Sequence, residues 1–256
     1  MSLLSRTLKA SVLGSTAVLA ITAAMPAVTF AADTTKTKES AFCTNLPAFS
    51  SKVTASLASL ESKVTSARAT RDKQLADNRA KWDQEIKDNR AKWDAQRQTD
   101  FTKLEAKATT ADQKAAVKTY ESTILSAVAT RRNAYDAARS TFRSGVDAAL
   151  AGRRTTVDSQ ISVFNGATNS ALSTAQSSCQ STPTNGPAIR TKLQADLKTA
   201  RQTFQSERTS DEKIGDAIKQ LSATRQASFK VADSSYDATA KSARDTLKAA
   251  FKNTSV

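Results

Sequence analysis

Residues 77–87 read DNRAKWDQEIK, and residues 88–98 repeat them as DNRAKWDAQRQ. The preceding segment 66–76, SARATRDKQLA, is a weaker copy that keeps the Arg-Ala pair and the Asp. Eleven residues make three α-helical turns at about 3.67 residues per turn, so a pattern with this period keeps one stripe of side chains on one helix face. The repeat therefore predicts one long helix from about Leu46 to Lys107.

The same period continues in a second run of residues. One of its rows is spaced by eleven throughout: Ile124, Tyr135, Val146, Val157, Thr168 and Cys179. Between the two runs, Thr110 is followed three residues later by Gln113, which is the spacing of a capping box, and a second helix is expected to begin there. Since this segment contains neither Gly nor Pro, a single uninterrupted helix is the alternative.

The two cysteines lie at opposite ends of these predicted helices. Cys43 precedes the first helix, Cys179 ends the second, and their midpoint is residue 111, at the predicted cap. In an antiparallel hairpin of equal arms, the numbers of facing residues add up to about 222, as 43 and 179 do. We therefore expect a disulfide in an exported chain, with two separate thiols as the alternative.

Trp82 and Trp93 fall in the apolar stripe of the first helix. The register of the hairpin sets them opposite the small residues Ser140 and Ala129, so we expect both indoles to pack between the helices. The alternative is that they are exposed and stack on bases or sugars, beside basic residues of the repeat.

A second structural segment follows a clear linker. Residues 180–188, QSTPTNGPA, combine two Pro with Asn-Gly. A helix of about twenty residues is expected from Ile189, and a longer fourth helix is capped by Ser210. The predicted fold is all-α: a long, antiparallel, coiled-coil-like hairpin over 46–179, followed by a second, shorter helical hairpin over 189–256.

The third helix is too short to cover the apolar stripe of the fourth. The uncovered residues are Ala232, Tyr236, Ala243, Leu247 and Phe251. They require another surface, which is the base of the first hairpin, a second copy of the chain or an outside ligand. The predicted partner-binding residues are Tyr236, Leu247 and Phe251 in this stripe, with Arg79 and Arg90 in the basic repeat.

The first residues have the pattern of a secretory signal. Arg6 and Lys9 precede an apolar stretch over 12–24, and small residues allow cleavage after Ala31. The stretch is short for spanning about 30 Å of hydrocarbon, although an uncleaved anchor is the alternative. We expect a secreted or periplasmic protein whose first 31 residues are removed and whose residues 32–45 form an N-terminal extension.

Composition argues against an enzyme. The chain has no His, which is the commonest general base and metal ligand, and only six Gly for phosphate-binding loops. No cofactor, metal or small-molecule substrate is expected. The net charge of +14 falls to +12 when Arg6 and Lys9 are removed with the signal. This excess favours an anionic envelope polymer or lipid headgroups as partners, although it also serves simply to keep a long helical protein soluble.

Three functions follow from these features. The first is a non-enzymatic structural or interaction protein outside the cytoplasm, acting through basic helical faces and an apolar stripe. The second is a holdase chaperone, because in gross features the chain resembles the Skp-type periplasmic chaperones: exported, basic and built of long helical hairpins. No segment of it matches the strand-forming body of that family. The third is reversible lipid binding, since eleven-residue amphipathic repeats also occur in apolipoprotein-like chains.

Overall fold

The computed structural model describes residues 40–210 and 214–252, with the side chains of residues 209 and 210 left aside. The chain forms four helices: α1 Ala41–Glu105, α2 Ala111–Ser181, α3 Gly186–Ser210 and α4 Ile214–Lys252. The described residues contain no strand. The prediction of an all-α chain, with a long hairpin followed by a shorter pair of helices, is confirmed. The predicted signal peptide lies outside the described residues, and so does the side chain of Ser210, the predicted cap of the fourth helix. Ser210 itself is the last residue of α3.

Helix α1 begins at Ala41, five residues before the predicted start at Leu46. Ser40 caps it, since its Oγ accepts a hydrogen bond from the Cys43 backbone N–H at 3.3 Å. Pro47 lies inside the helix, where its ring removes one backbone hydrogen bond. Proline is common in the first turn of a helix, whereas Pro47 lies in the second turn of α1.

The capping box between α1 and α2 is present as predicted. The Gln113 backbone N–H donates to Thr110 Oγ1 at 3.2 Å, and the Thr110 backbone N–H donates to Gln113 Oε1 at 3.3 Å. These reciprocal bonds satisfy two N–H groups at the start of α2. The long hairpin is therefore two helices, and the alternative of one uninterrupted helix is wrong.

The connection between α2 and α3 is shorter than the predicted linker over 180–188. Helix α2 continues to Ser181 and α3 begins at Gly186, three residues before Ile189. Pro187 lies in the first turn of α3, where a missing N–H has no helical partner to lose. The two prolines therefore bound a tight turn instead of a long linker.

The helices pack as two compact units, each assembled from two separate stretches of sequence. Unit 1 is Met1–Ala67 with Thr155–Gly215, and unit 2 is Arg68–Arg154 with Asp216–Val256. These units differ from the predicted division into hairpins over 46–179 and 189–256. The reason is that α3 and α4 each pack against residues of α1 and α2.

Unit 1 has a continuous apolar core and the disulfide. Cys43 and Cys179 are bonded, with Cα atoms 5.5 Å apart, as the sequence predicts. Rings of Phe164 in α2 and Phe204 in α3 pack with centroids 5.1 Å apart. The core takes buried residues from three helices: Phe42, Cys43, Leu46, Val53, Leu57, Val64, Ile161, Phe164, Ala171, Leu172, Ala175, Ile189, Leu193, Leu197, Ala200 and Phe204.

Unit 2 has a much smaller apolar core. Its buried cluster contains Phe101 of α1, Ile124 and Val128 of α2, and Ala240 of α4. Farther along, the rings of Tyr135 and Phe229 pack with centroids 4.2 Å apart. Later residues of α2 thus contact earlier residues of α4: Ile124 lies near Ala240, and Tyr135 lies near Phe229. Helix α4 therefore runs antiparallel to α2.

Candidate functional site: an ion-pair ladder and an exposed tryptophan face

Five arginine–aspartate pairs join α1 to α2 in unit 2, and we call this set the ladder. In four of them the guanidinium donates two hydrogen bonds to one carboxylate. The pairs are Asp72–Arg154, Arg79–Asp147, Asp83–Arg143, Arg90–Asp136 and Asp94–Arg132. In every pair the two residue numbers add up to 226. All five pairs therefore share one antiparallel register. Its sum of 226 differs by four residues, or about one helical turn, from the sum of 222 at the disulfide.

The eleven-residue repeat accounts for the spacing of the ladder. Asp72, Asp83 and Asp94 are each eleven residues apart, and their partners on α2 are spaced by eleven as well. Arg79 and Arg90 form a second row with the opposite polarity, paired with Asp147 and Asp136. The repeat thus supplies alternating acidic and basic positions along the contact side of α1. Sequence reasoning missed these partners, although the spacing of Arg132, Arg143 and Arg154 was visible.

The ladder lowers the pKa of three of its carboxylates, those of Asp83, Asp94 and Asp136. Hydrogen bonds from Arg132 and Arg97 lower the pKa of Asp94 to about 2, against the opposing effect of desolvation. The pKa of Asp83 is lowered chiefly by its hydrogen bond from Arg143. The pKa of Asp136 is lowered chiefly by Arg90. These groups are charged at neutral pH, so they act as fixed charges and not as proton donors.

An open groove of about 740 Å³ follows the ladder along α1 and α2. Small side chains line part of it, among them Ala91, Ser140 and Ser144, beside the charged pairs. Lys87 also lines the groove, and it makes no salt bridge among the described residues. The groove therefore offers charged side chains beside small and apolar ones.

Helix α1 has no buried side chain between Val64 and Phe101. Leu75 and Ile86 are half-buried on its contact side. Along this stretch α1 is held to α2 by the charged ladder and partial apolar contact, in contrast to the dry core of unit 1.

The prediction that Trp82 and Trp93 are packed in a core is wrong. Their exposed fractions are 43% and 54%, respectively. The ladder sets the rotation of α1 so that Arg79 and Arg90 take the contact side and the tryptophans lie beside it. Size and hydrophobicity predicted a core position, but the side of α1 that faces α2 along this stretch carries the charged residues of the ladder.

The tryptophans form part of an exposed row on α1. Arg71, Trp82 and Trp93 are spaced by eleven residues, and Asn78 and Asn89 precede each tryptophan by four. Residues four or eleven apart share a helix face. All five side chains are exposed. We call these two rows the tryptophan face.

The two predicted partner-binding arginines are already engaged within unit 2. Arg79 donates to Asp147 at 2.8 and 3.1 Å, and Arg90 donates to Asp136 at 2.8 and 3.0 Å. Their role in the structure is to join the helices. Lysines in the same stretch behave differently, because Lys81, Lys87 and Lys92 are exposed and make no salt bridge among the described residues.

The apolar stripe of α4 is partly covered inside unit 2. Tyr236 packs against the cluster of Phe101 and Ile124, and the guanidinium of Arg131 lies 5.1 Å from its ring centroid. The stripe therefore docks near the α1–α2 connection and not at the base of the hairpin. Leu247 and Phe251 are half-buried farther along α4.

Charge is distributed unevenly between the two units. Unit 2 contains 26 Lys and Arg against 16 Asp and Glu, a net charge of +10. This leaves +4 of the total +14 for unit 1. The positive charge of the chain is therefore concentrated in unit 2.

Within residues 40–210 and 214–252, no group of three or more acidic or cysteine side chains is placed to hold a metal ion. In the same part of the chain, no helix combines the length and apolarity needed to cross a bilayer. Models of known protein families, curated proteins and solved structures were compared with the chain, and none of them matches it.

Proposed function

We propose that this chain is an exported, non-enzymatic interaction protein that binds an anionic polymer of the cell envelope through unit 2. The observation that supports it best is that the arginines and the lysines of this unit make different contacts. Arginines form the ladder between the helices, while three exposed lysines of the two close copies of the repeat, Lys81, Lys87 and Lys92, have no carboxylate partner among the described residues.

The chemistry of the two cations explains this difference. A guanidinium forms two parallel hydrogen bonds with one carboxylate, which suits it to a fixed contact between helices. An ammonium on a flexible four-carbon chain is a mobile point charge, which suits contacts to a polymer of variable shape. The net charge of +10 on unit 2 raises the local concentration of any polyanion near these lysines.

Unit 1 supplies the stable base in this proposal. Its disulfide closes a loop with a sequence separation of 136 residues, which stabilises the fold by about 5 kcal/mol in the chain-entropy model. A disulfide of this kind fits the oxidising space outside the cytoplasm, where the signal-like first 31 residues would direct the chain.

The test is co-sedimentation of the oxidised protein, without residues 1–31, with the envelope fraction of its source organism. We expect binding at low salt that is lost at high salt, because screening weakens contacts between exposed charges. Binding that persists at high salt, or that follows extracted lipid alone, would contradict a polymer held by charge. The absence of binding, together with suppression of client aggregation at stoichiometric protein, would favour a holdase instead.

A further inference from the structure

The two tryptophans of the chain lie along one line of α1. Eleven residues separate them, which corresponds to about 16 Å along a helix axis and to nearly the same rotation about it. Both indoles are about half exposed. An extended polymer lying along α1 could therefore contact both rings at once.

The fold itself does not require indoles at these positions. The contact between α1 and α2 is made by the ladder residues, and the buried cluster of unit 2 takes only Phe101 from α1. Large aromatic side chains left partly in solvent are typical of binding surfaces, because their flat apolar faces contribute much contact area at low entropic cost.

Basic side chains lie next to the two indoles on α1. Arg71 continues the tryptophan row one repeat earlier, and Lys81 and Lys92 flank it. All three are exposed and make no salt bridge among the described residues. Exposed carboxylates lie in the same region: Glu85, Asp100, Asp88 and Asp77, the last of which is paired with Lys73. The tryptophan face therefore suits a polymer with sparse negative charge.

We propose that the tryptophan face binds an acidic polysaccharide, with Trp82 and Trp93 against the apolar faces of sugar rings and the neighbouring cations at its carboxylates. This inference rests on the proposed function and names its ligand class. The exposed amides of Asn78 and Asn89 can donate to and accept from sugar hydroxyls. A single-stranded nucleic acid fits less well, because it carries a phosphate at every unit and calls for a continuously basic groove.

Binding at this face can be followed by tryptophan emission, since Trp82 and Trp93 are the only two tryptophans in the sequence. Oxidised protein without residues 1–31 is titrated with oligomeric polygalacturonate while tryptophan emission is recorded, and binding is measured in parallel by calorimetry. Neutral dextran and a dT oligonucleotide serve as comparison ligands. We expect a saturable change in emission with polygalacturonate, weakened by salt, and no change with dextran.

Variants separate ring contact from charge. Trp82→Ala and Trp93→Ala are each expected to weaken polygalacturonate binding about fivefold or more, while Trp82→Phe retains most of it. Val163→Ala, at an exposed apolar position of unit 1, is the matched control and is expected to bind as the parent does. Circular dichroism checks that every variant keeps its helical content.

The outcomes distinguish this inference from the function on which it rests. Polygalacturonate binding with unchanged emission and full affinity in both alanine variants would overturn the tryptophan contact and leave charge-driven binding standing. Tighter, tryptophan-dependent binding of the dT oligonucleotide would overturn the choice of polysaccharide. Failure to bind polygalacturonate, with no binding of the envelope fraction either, would overturn both proposals.

Discussion

Breaking one step of the ladder should weaken unit 2 by an amount that a double-mutant cycle can measure. The step chosen is Asp83–Arg143, in which the two Nη atoms of the arginine lie 2.7 and 2.9 Å from the carboxylate oxygens. The arginine side chain is 29% exposed and that of the aspartate is 55% exposed. Solvent therefore screens the pair, and its coupling energy is expected near the upper end for exposed pairs, at about 0.5–1 kcal/mol.

The cycle compares the parent with Asp83→Ala, Arg143→Ala and the double variant. Unfolding in urea is followed by tryptophan emission, which reports on α1 within unit 2, because urea adds no salt that would screen the pair. The same cycle on Lys73–Asp77, an exposed pair one turn apart within α1, is the control and should give about 0.3 kcal/mol.

Ionic strength provides the decisive comparison. In 1 M salt the screening length falls to about 3 Å, so the Asp83–Arg143 coupling should shrink by at least half. A coupling below about 0.2 kcal/mol at low salt, or one unchanged in 1 M salt, would refute the view that charge pairs hold α1 against α2.

Three other changes have defined outcomes. Because the pKa of Asp94 is held at about 2, its contribution to stability is present above the ordinary pKa near 4 and is lost as pH falls toward 2. Asp94→Asn should therefore make the free energy of unfolding depend less steeply on pH in this range. Thr168 is fully buried and its hydroxyl makes no hydrogen bond, so Thr168→Val should raise the free energy of unfolding by about 1 kcal/mol. A methyl group at Gly186 would overlap the Ser40 side chain, so Gly186→Ala should lower the free energy of unfolding by about 1–3 kcal/mol. A methyl group at Gly166 would meet open space, so Gly166→Ala should raise the free energy of unfolding by about 0.5–1 kcal/mol.

Each of these has a direct readout. The pH dependence of the free energy of unfolding is measured by urea unfolding at several pH values. The same dependence in the parent and in Asp94→Asn would count against the ladder. The Thr168 and glycine variants are compared by thermal unfolding followed by circular dichroism. A destabilised Thr168→Val would mean that the hydroxyl has a partner, and equal effects at the two glycines would deny close packing between Gly186 and Ser40.

Local patterns predicted the helices and their joints well. The capping box at Thr110 and Gln113 and the pairing of Cys43 with Cys179 depend on spacing along one chain, which the sequence shows directly. Boundaries near proline were less certain, since Pro47 lies within α1 and Pro187 begins a helix rather than extending a linker. A proline is compatible with either reading until its neighbours are placed.

The surface residues were harder to predict, because they depend on which helix faces which. Trp82 and Trp93 fit an apolar stripe by period, but the ladder residues take the side of α1 that faces α2, so the indoles are left half exposed. Arg79 and Arg90 looked available to a partner until Asp147 and Asp136 were placed beside them. Long-range pairing of this kind is not visible in a single helix period.

In the proposed function, exposed lysines of unit 2 bind an anionic envelope polymer. This binding is tested most directly by comparing two triple variants of equal charge change in co-sedimentation with the envelope fraction at low salt. One variant replaces Lys81, Lys87 and Lys92 with Gln, and the other replaces the exposed lysines of unit 1, Lys52, Lys63 and Lys198. We predict that the unit 2 variant loses most of the binding while the unit 1 variant keeps it. Equal binding by both variants, or a greater loss from unit 1, would contradict the account.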